Sequence, residues 1–425
     1  MATTTVSMKD VKNILNYMID NNLEREKNSQ TPIALSLEAN AGIGKTSIVK
    51  QVAEDRGMGF TKINMSQLEE AGDIIGFPQM EYECQIAKKI KDTDGNIKVN
   101  VLPGTVWLNA KQMESKDANT AIRQTGKTRM GYAKPAWVPE YNDAGNIVLL
   151  DDYVRANPQL LQACMDLVLE QKYVSWSFPK KTTIVLTNNP DDGTNNVNSL
   201  DEAQRTRFLN FEVAFDIDAW ARWAECSGID GRCINFVMSY YNELFQADED
   251  GNRICNPRSF VMFADTITGI KDWDNAENQT FINMIAKGCF KDEHGRFSKM
   301  FIAFIRNKMH LLIQPKDMLL GGWDRIKPIL EQSVYDADGK YRPDIASILE
   351  RRFSNYVGTW LSSDEKTPIE KVKNRMIDFI DNEEKGGKRL FNKDLFYHMI
   401  KTITSEHKNQ TNKLMFEPKI ATLIS

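Results

Sequence analysis

The segment Glu38-Ala39-Asn40-Ala41-Gly42-Ile43-Gly44-Lys45-Thr46 decides the fold of this chain. A short apolar run over residues 33–37 precedes it, and a helical pattern over 47–56 follows and stops at Gly57. A strand, a glycine-rich loop that ends in Lys-Thr, and then a helix are the parts of a phosphate-binding loop. The segment therefore predicts an α/β unit with a site for a nucleotide.

The residue types in this loop suit phosphate chemistry. Backbone N–H groups and the positive end of the following helix would surround the phosphates. Lys45 would reach the β- and γ-phosphates, and the Thr46 hydroxyl would hold Mg²⁺. Ala39 stands where the usual pattern has its first glycine, so alanine must make the first tight turn. The expected binding residues are Ala39, Asn40, Ala41, Gly42, Ile43, Gly44, Lys45, Thr46 and Ser47.

Length and composition limit the class of protein. The 425 residues are enough for two or three domains. No apolar run approaches the roughly 20 residues that span a bilayer, and residues 1–6 lack a secretion signal, so we expect no membrane segment and a cytoplasmic protein. Six scattered cysteines and four scattered histidines argue against a zinc or disulfide framework. The net charge of −4 argues against a broad nucleic-acid surface, although a local basic loop could exist.

Apolar strands alternate with helices over residues 1–215, which indicates a parallel sheet covered on both faces. A capping box at Ser7–Asp10 predicts a first helix that ends at Asn21-Asn22. Residues 69–78 have little regular pattern. The expected elements after the loop helix are strands at 60–65, 146–152, 182–186 and 211–213, a helix at 160–170 and a hairpin at 172–178.

Residues 79–135 are long for a connection and form a predicted insertion. Residues 88–101 predict a hairpin around Asp92-Thr93-Asp94-Gly95. Residues 116–134 are polar and basic, with Arg123, Lys127, Arg129 and Lys134. We expect a loop there, which either is simply solvated or grips a substrate or partner.

After residue 215 the strand signals stop and helical patterns continue to the end of the chain. Predicted helices cover 219–224, 233–245, 257–268, 281–286, 298–309, 318–334 and 345–360. Pro257 suits the first position of its helix. We expect a helical domain over 216–330 and a helical C-terminal extension of unknown role over 331–425.

Polar residues follow two of the buried strands and complete a magnesium nucleotide site. Asp151 at the end of the 146–152 strand would bind the metal together with Thr46. Asp152 lies where a base that activates the attacking water would lie, although it could instead cap the next segment. Asn189 could hydrogen-bond the γ-phosphate or that water.

Six blocks together resemble the AAA+ ATPases, and within them the MoxR-like group. They are residues 38–46, the segment Asp73-Ile74-Ile75-Gly76-Phe77-Pro78, the segment Leu150-Asp151-Asp152-Tyr153-Val154-Arg155-Ala156-Asn157, the segment Thr187-Asn188-Asn189-Pro190, the segment Glu202-Ala203-Gln204-Arg205-Thr206-Arg207-Phe208, and Asn256-Pro257-Arg258. The resemblance covers residues 30–330. The Lys-, Asn- and Ile-rich composition would suit an AT-rich bacterial or phage genome.

The resemblance implies a role for each matched polar residue. Asn189 would be the sensor-1 residue, and Arg258 would be sensor 2, acting from an α-helical lid domain over 216–330. Arg205 or Arg207 would be the arginine finger that completes the nucleotide site of the neighbouring subunit. Arg155 matches the arginine that follows the family's carboxylates, and its role could be structural. Residues 79–135 and 171–178 would face the pore of a ring or a partner.

The resemblance also implies the activity. ATP would bind with Mg²⁺ between subunits of a homo-oligomeric ring, expected to be a hexamer, and its hydrolysis would remodel or assemble a protein client, as a chaperone does. A von Willebrand A domain protein is an expected partner. Asp152 replaces the family's glutamate and is one methylene shorter, so we expect slow hydrolysis, since misplacement by about 1 Å can cost on the order of 10²-fold in rate.

Three other functions remain open on the sequence. The first is a nucleic-acid motor or loader on the same fold, for which only residues 116–134 offer a basic lining. The second is a non-catalytic scaffold whose assembly is gated by ATP. The third, a metabolic kinase, has no visible acceptor-site motif.

Overall fold

The computed structural model describes residues 4–91, 97–114, 120–190, 200–247, 253–292, 294–336, 338–362, 369–406, 414 and 417–424. Contacts divide the chain into two compact units. The first contains Met1–Asn40 and Gly44–Ala214, and the second contains Ala41–Ile43 and Phe215–Ser425.

The first unit holds all the strands in the described part of the chain. They are β1 (Thr4–Val6), β2 (Ala34–Glu38), β3 (Gly59–Asn64), β4 (Pro78–Lys91), β5 (Ile97–Val101), β6 (Val106–Asn109), β7 (Thr120–Tyr132), β8 (Asn146–Asp151), β9 (Lys172–Tyr173), β10 (Trp176–Ser177), β11 (Thr182–Asn188) and β12 (Phe208–Val213). Its helices are α1 (Met8–Lys27), α2 (Lys45–Asp55), α3 (Ala71–Ile75), α4 (Ala110–Glu114), α5 (Pro158–Glu170) and α6 (Glu202–Arg205), with short 3₁₀ turns at Met65–Gln67 and Tyr153–Arg155.

Six of these strands form the central sheet, in the order β1-β12-β2-β11-β8-β3. Every neighbouring pair is parallel. All of β11 and nearly all of β8 are buried, as expected for parallel strands with helices on both faces. The predicted fold class is confirmed: a P-loop α/β core with a parallel sheet flanked by helices is followed by a helical region. The strand order sets β11 between the loop strand β2 and the carboxylate strand β8.

The insertion forms a second, antiparallel sheet around β4. This long strand pairs with β5, β6 and β7. The predicted pairing of 88–101 is confirmed as β4 with β5, while its turn residues Asp92–Gly95 lie outside the described residues. The loop expected over 116–134 is wrong, because most of it is strand β7. Residues 123–128 are exposed on both faces of that strand, so the sequence shows no period-two alternation of apolar and polar side chains.

Two further predictions in the first unit need correction. Helix α1 has the predicted capping box but continues to Lys27 instead of ending at Asn21-Asn22. Asn22 is buried, and its side chain binds the backbone N–H and C=O of Ile33 at 2.8 and 3.0 Å. This asparagine anchors the helix to the chain before β2 and does not terminate it. Helix α3 lies inside the segment 69–78 that was expected to be irregular.

The regular elements of the second unit, within its described residues, are helices joined by loops. Its helices are α7 (Ile217–Cys226), α8 (Gly231–Phe245), α9 (Pro257–Ile267), α10 (Ala276–Cys289), α11 (Arg296–Arg306), α12 (Pro315–Leu320), α13 (Trp323–Val334), α14 (Pro343–Ser362), α15 (Ile369–Glu384), α16 (Lys393–Glu406) and α17 (Pro418–Ile424), with a 3₁₀ turn at Met309–Leu311. The single helix expected over 318–334 is two helices, because Gly321 and Gly322 separate α12 from α13. One apolar core extends from Ile217 to Ile420. The domain boundaries at 215 and 330 stay predictions.

Two expectations from the composition concern the state of the cysteines and the presence of membrane-spanning helices. All six cysteines are free thiols. Complete burial raises the pKa of the Cys164 thiol to about 12, which leaves it unreactive at neutral pH. Among the described residues, no helix has the length and apolar character that crossing a membrane requires.

Candidate active site

The glycine loop lies between the end of β2 and the start of α2. Gly42 and Gly44 have φ values of 84° and 100°, in the left-handed region that favours glycine. Ala39 is buried, lies outside that region, and donates its N–H to the carbonyl of Asn188 at 3.0 Å. The first position of the motif is therefore held in register with β11, and an alanine fits there without backbone strain.

The tip of the loop, Ala41–Ile43, belongs to the second unit. A Cβ atom on Gly42 would lie 2.8 Å from Oδ1 of Asn256 and 3.0 Å from Cβ of Arg258. Arg258 is the second residue of α9, and its first turn is fixed by a capping box between Asn256 and Ser259. The predicted sensor-2 arginine therefore lies in the capped first turn of α9, next to the loop tip. A side chain at position 42 would collide with this turn, so glycine is required there.

Lys45 is the first residue of α2, and only 8% of it is exposed. Its ammonium donates to the carbonyls of Ala39 and Asn40 at 2.5 and 3.2 Å, and to Oδ1 of Asn189 at 3.0 Å. The loop therefore surrounds a buried cation with oxygen atoms, which phosphate oxygens could replace. The side-chain oxygen of Asn40 is buried and has no hydrogen-bond partner among the described residues, so one polar atom of this loop is left to bind a ligand.

Asp151 ends β8, and both of its carboxylate oxygens are occupied. Oδ1 accepts from the hydroxyls of Thr46, at 3.0 Å, and Thr187, and Oδ2 lies 2.6 Å from Nζ of Lys62. Burial alone would raise the pKa of the Asp151 carboxyl, but hydrogen bonds from Lys62, Thr187 and Thr46 prevail and hold it below its ordinary value. A hydroxyl and an ionised carboxylate in contact are hard oxygen ligands, so Thr46 and Asp151 fit Mg²⁺.

Asp152 follows directly and has a left-handed backbone, with φ 53° and ψ 42°. Its N–H donates to the Thr187 hydroxyl at 3.3 Å, and its Oδ1 accepts from Nδ2 of Asn189 at 3.2 Å. The alternative role as a cap is not seen, because the side chain makes no capping hydrogen bond to the 3₁₀ turn Tyr153–Arg155. Its carboxylate is instead directed to the end of β11.

The two asparagines after Thr187 have different environments. Asn188 is buried, donates to the Ser36 hydroxyl at 2.9 Å and accepts from the N–H of Val154 at 3.2 Å. It links three segments of the core. Asn189 contacts Lys45 through its oxygen and Asp152 through its nitrogen. Of the two, Asn189 is therefore the one that joins the predicted site residues.

The two candidate arginine fingers also differ. Arg205 is exposed and donates from Nε to the carbonyl of Leu200 at 3.1 Å. Arg207 is half-buried, donates to the carbonyl of Ala203 at 2.8 Å and lies 4.0 Å from the Asp166 carboxylate. Both side chains thus bind their own chain, and Arg205 is the more accessible of the pair. Arg155 is an exposed residue of the 3₁₀ turn after Asp152.

Lys62 is the site residue that the sequence did not reveal. It lies on β3, and β3 pairs with β8 so that Lys62 is opposite Leu149 and Asn64 is opposite Asp151. The side chain therefore runs two positions along the sheet to reach the carboxylate. A lysine in a short strand carries no signal of this contact until the register of β3 against β8 is known.

No protein-family model matches the chain, and no curated protein matches it. Among solved structures, a presumed ATPase from Cytophaga hutchinsonii is 14% identical over 92% of this chain and 89% of its own, with a TM-score of 0.28. Two mutants of Thermotoga maritima RuvB are each 13% identical, over 78% and 79% of this chain and 92% of their own, with TM-scores of 0.35 and 0.36.

Proposed function

We propose that this chain is a MoxR-like AAA+ ATPase that binds ATP with Mg²⁺ and hydrolyses it. The observation that supports the proposal is the position of Asn189, whose amide joins the Lys45 ammonium to the Asp152 carboxylate. A phosphate-binding cation and a candidate base are thereby held in one hydrogen-bonded group. This is the arrangement that phosphoryl transfer to water requires, because its catalysis depends on positioning and on charge stabilisation.

Each residue of the group has a distinct part in the proposed reaction. Lys45 and the loop N–H groups bind the β- and γ-phosphates, while Thr46 and Asp151 hold Mg²⁺, which supplies positive charge to the phosphate oxygens. Asp152 accepts a proton from the attacking water, and Asn189 orients that water and the γ-phosphate. Asp152 is one methylene shorter than glutamate, so hydrolysis is slow.

The proposed oligomer is a ring, taken to be a hexamer, with the nucleotide at subunit interfaces. The accessibility of Arg205 supports it as the finger that enters a neighbour's site, since a guanidinium can bridge phosphate oxygens. Arg207, with its contacts to Ala203 and Asp166, has a local structural role in this proposal. Arg258, fixed beside Gly42 within the helical unit, acts as sensor 2.

The proposed client is a protein, which a von Willebrand A domain partner could present. The antiparallel sheet of the insertion supports a protein contact, because Met80 and Met130 are opposite each other on β4 and β7 and both are largely exposed. Two basic residues of this antiparallel sheet already form ion pairs within the chain, since Lys127 pairs with Glu83 and Arg129 pairs with Glu81. This reduces the positive field that a nucleic acid would need.

The experiment is to measure ATP affinity, ATP turnover and particle mass with and without ATP. Wild type should bind ATP, turn it over far below about 10² per second, and assemble with ATP. Lys45→Ala should lose all three, and the matched control Lys50→Ala, at an exposed position of α2, should lose none. Wild type that stays monomeric with ATP would contradict the ring. ATP-dependent assembly without turnover would instead indicate the scaffold.

A further inference from the structure

The ion pair between Lys62 and Asp151 has no part in the proposed mechanism. The Lys62 ammonium is 2.6 Å from Oδ2 of Asp151, whose Oδ1 accepts from the Thr46 hydroxyl at 3.0 Å. Lys62 is 42% exposed and Asp151 is 14% exposed, so the contact lies at the border of the protein interior. The Asp151 carboxylate, a proposed magnesium ligand, therefore also forms an ion pair with a lysine of the same chain.

A cation in this position has two electrostatic effects that act in opposite directions. It neutralises the carboxylate and repels a second cation, so it weakens the attraction of the Thr46–Asp151 pair for Mg²⁺. It also adds a positive charge near the helix start that would receive the phosphates, so it strengthens binding of a nucleotide that carries no metal. Both effects reduce the difference in affinity between metal-bound and metal-free nucleotide.

We propose that Lys62 sets the magnesium dependence of nucleotide binding by supplying, beside Asp151, part of the positive charge that the triphosphate requires. The chain then binds ATP with Mg²⁺ and also, more weakly, without it. Lys62 is a positioning and charge-balancing residue of the site. This inference rests on the proposed nucleotide site and adds how that site distributes its charge.

The alternative is a structural role, in which Lys62 only ties β3 to the end of β8. The two roles differ in what they change. A structural tie affects the thermal stability and scales both affinities alike, whereas a charge-balancing residue changes the ratio of the two affinities. The ratio of the ATP dissociation constant in excess EDTA to that in excess Mg²⁺ is therefore the quantity to measure.

The test is calorimetric titration of the full chain with ATP, in excess Mg²⁺ and in excess EDTA. Lys62→Met keeps the length of the side chain and removes its charge, and it should raise the ratio about tenfold, equivalent to ~1.4 kcal/mol, chiefly by weakening binding in EDTA. Lys62→Arg keeps the charge and should leave the ratio near that of wild type. Lys50→Met, which removes an exposed lysine paired with Glu54, is the matched control and should also leave it unchanged.

The outcomes separate this inference from the proposed function. Wild type that binds ATP in neither condition would refute both the nucleotide site and the inference. Wild type that binds only in Mg²⁺, or a ratio that Lys62→Met does not change, would refute the inference alone. Should Lys62→Met fail to fold, Lys62→Gln makes the same comparison, since it keeps a donor to Asp151 without the charge.

Discussion

Asp152 is a site residue whose backbone conformation restricts its replacement. It has a left-handed conformation, which aspartate and asparagine adopt more readily than other residues because their short side chains bond locally. The aspartate that stands where the proposed family has a glutamate therefore matches the local conformation. Glutamate would reach further toward a water molecule but would have to adopt a strained backbone.

Replacing Asp152 with asparagine should separate binding from hydrolysis. Asn keeps the left-handed backbone and a side-chain oxygen for Asn189, but it cannot accept the proton of the attacking water. We expect ATP affinity and melting temperature to remain near wild type and turnover to fall by about 10²-fold or more. Steady-state kinetics and calorimetry measure these quantities. Undiminished turnover would show that Asp152 is not the base.

The neighbouring asparagines provide a matched pair of substitutions. Asn188→Ala removes the side-chain oxygen that accepts from the buried N–H of Val154, so the free energy of unfolding should decrease by about 1–3 kcal/mol. Asn189→Ala should leave stability nearly unchanged and reduce turnover. Chemical denaturation and ATPase assays on both variants test the assignment, and the reverse pattern would exchange the two roles.

At the scale of elements, the buried strands β8 and β11 were predictable and the exposed strand β7 was not. Strands β8 and β11 are buried on both faces, and their apolar runs gave their positions and the polar residues after them. Strand β7 is exposed on both faces over 123–128, and its polar composition gave the appearance of a loop. The predicted end of helix α1 at Asn21-Asn22 is too early, because a buried asparagine has the same sequence signal as an asparagine that ends a helix.

The same division applies to the candidate site. Thr46 was predictable from the loop motif, and Asp151 and Asn189 were predictable because one ends and the other follows a strand of a parallel sheet, whose strand ends meet at one edge. The contact of Lys62 was not, because it depends on the register between two strands. The preference for Arg205 over Arg207 also required the structure, since only side-chain exposure and contacts distinguish them.

Helices α14 and α16 are linked by an ion pair that makes stability depend on pH. Nδ1 of His398 lies 3.1 Å from both carboxylate oxygens of the buried Glu350. The hydrogen bond to Glu350 raises the pKa of His398 above its ordinary 6.5, although burial opposes it. A raised pKa in the folded state gives stability that is present below the unfolded value and is lost as pH rises through the folded value.

His398→Gln should therefore destabilise the chain more under acidic than under basic conditions. The difference in melting temperature from wild type should be larger below about pH 6 than above about pH 8. The pH-dependent part should stay under about 1 kcal/mol, because about half of the His398 side chain is exposed to solvent. His294→Gln, at an exposed histidine, is the control. A difference that does not vary with pH would refute the linkage.

At the scale of the whole molecule, the proposed ring predicts complementation between inactive subunits. Arg205→Ala should bind ATP normally and lose about 10³-fold in turnover, as expected for a missing arginine finger. Lys45→Ala should not bind ATP but retains the finger. A mixture of the two variants should recover activity that neither has alone, because one subunit supplies the arginine to the site of the other. Turnover no greater than the sum of the separate samples would exclude action in trans.

The order of strands in the central sheet has a consequence for biosynthesis. Strand β2, which leads into the phosphate-binding loop, pairs only with β11 and β12 among the described strands. About 140 residues separate its end from the start of β11, and a ribosome that adds about 5–20 residues per second needs roughly 7 to 30 s to make them. Until β11 is made, β2 has no partner strand in the nascent chain. The sheet around β2 can therefore form only after β11 has been made, and chaperones that shield apolar segments on the ribosome should improve the yield of folded protein.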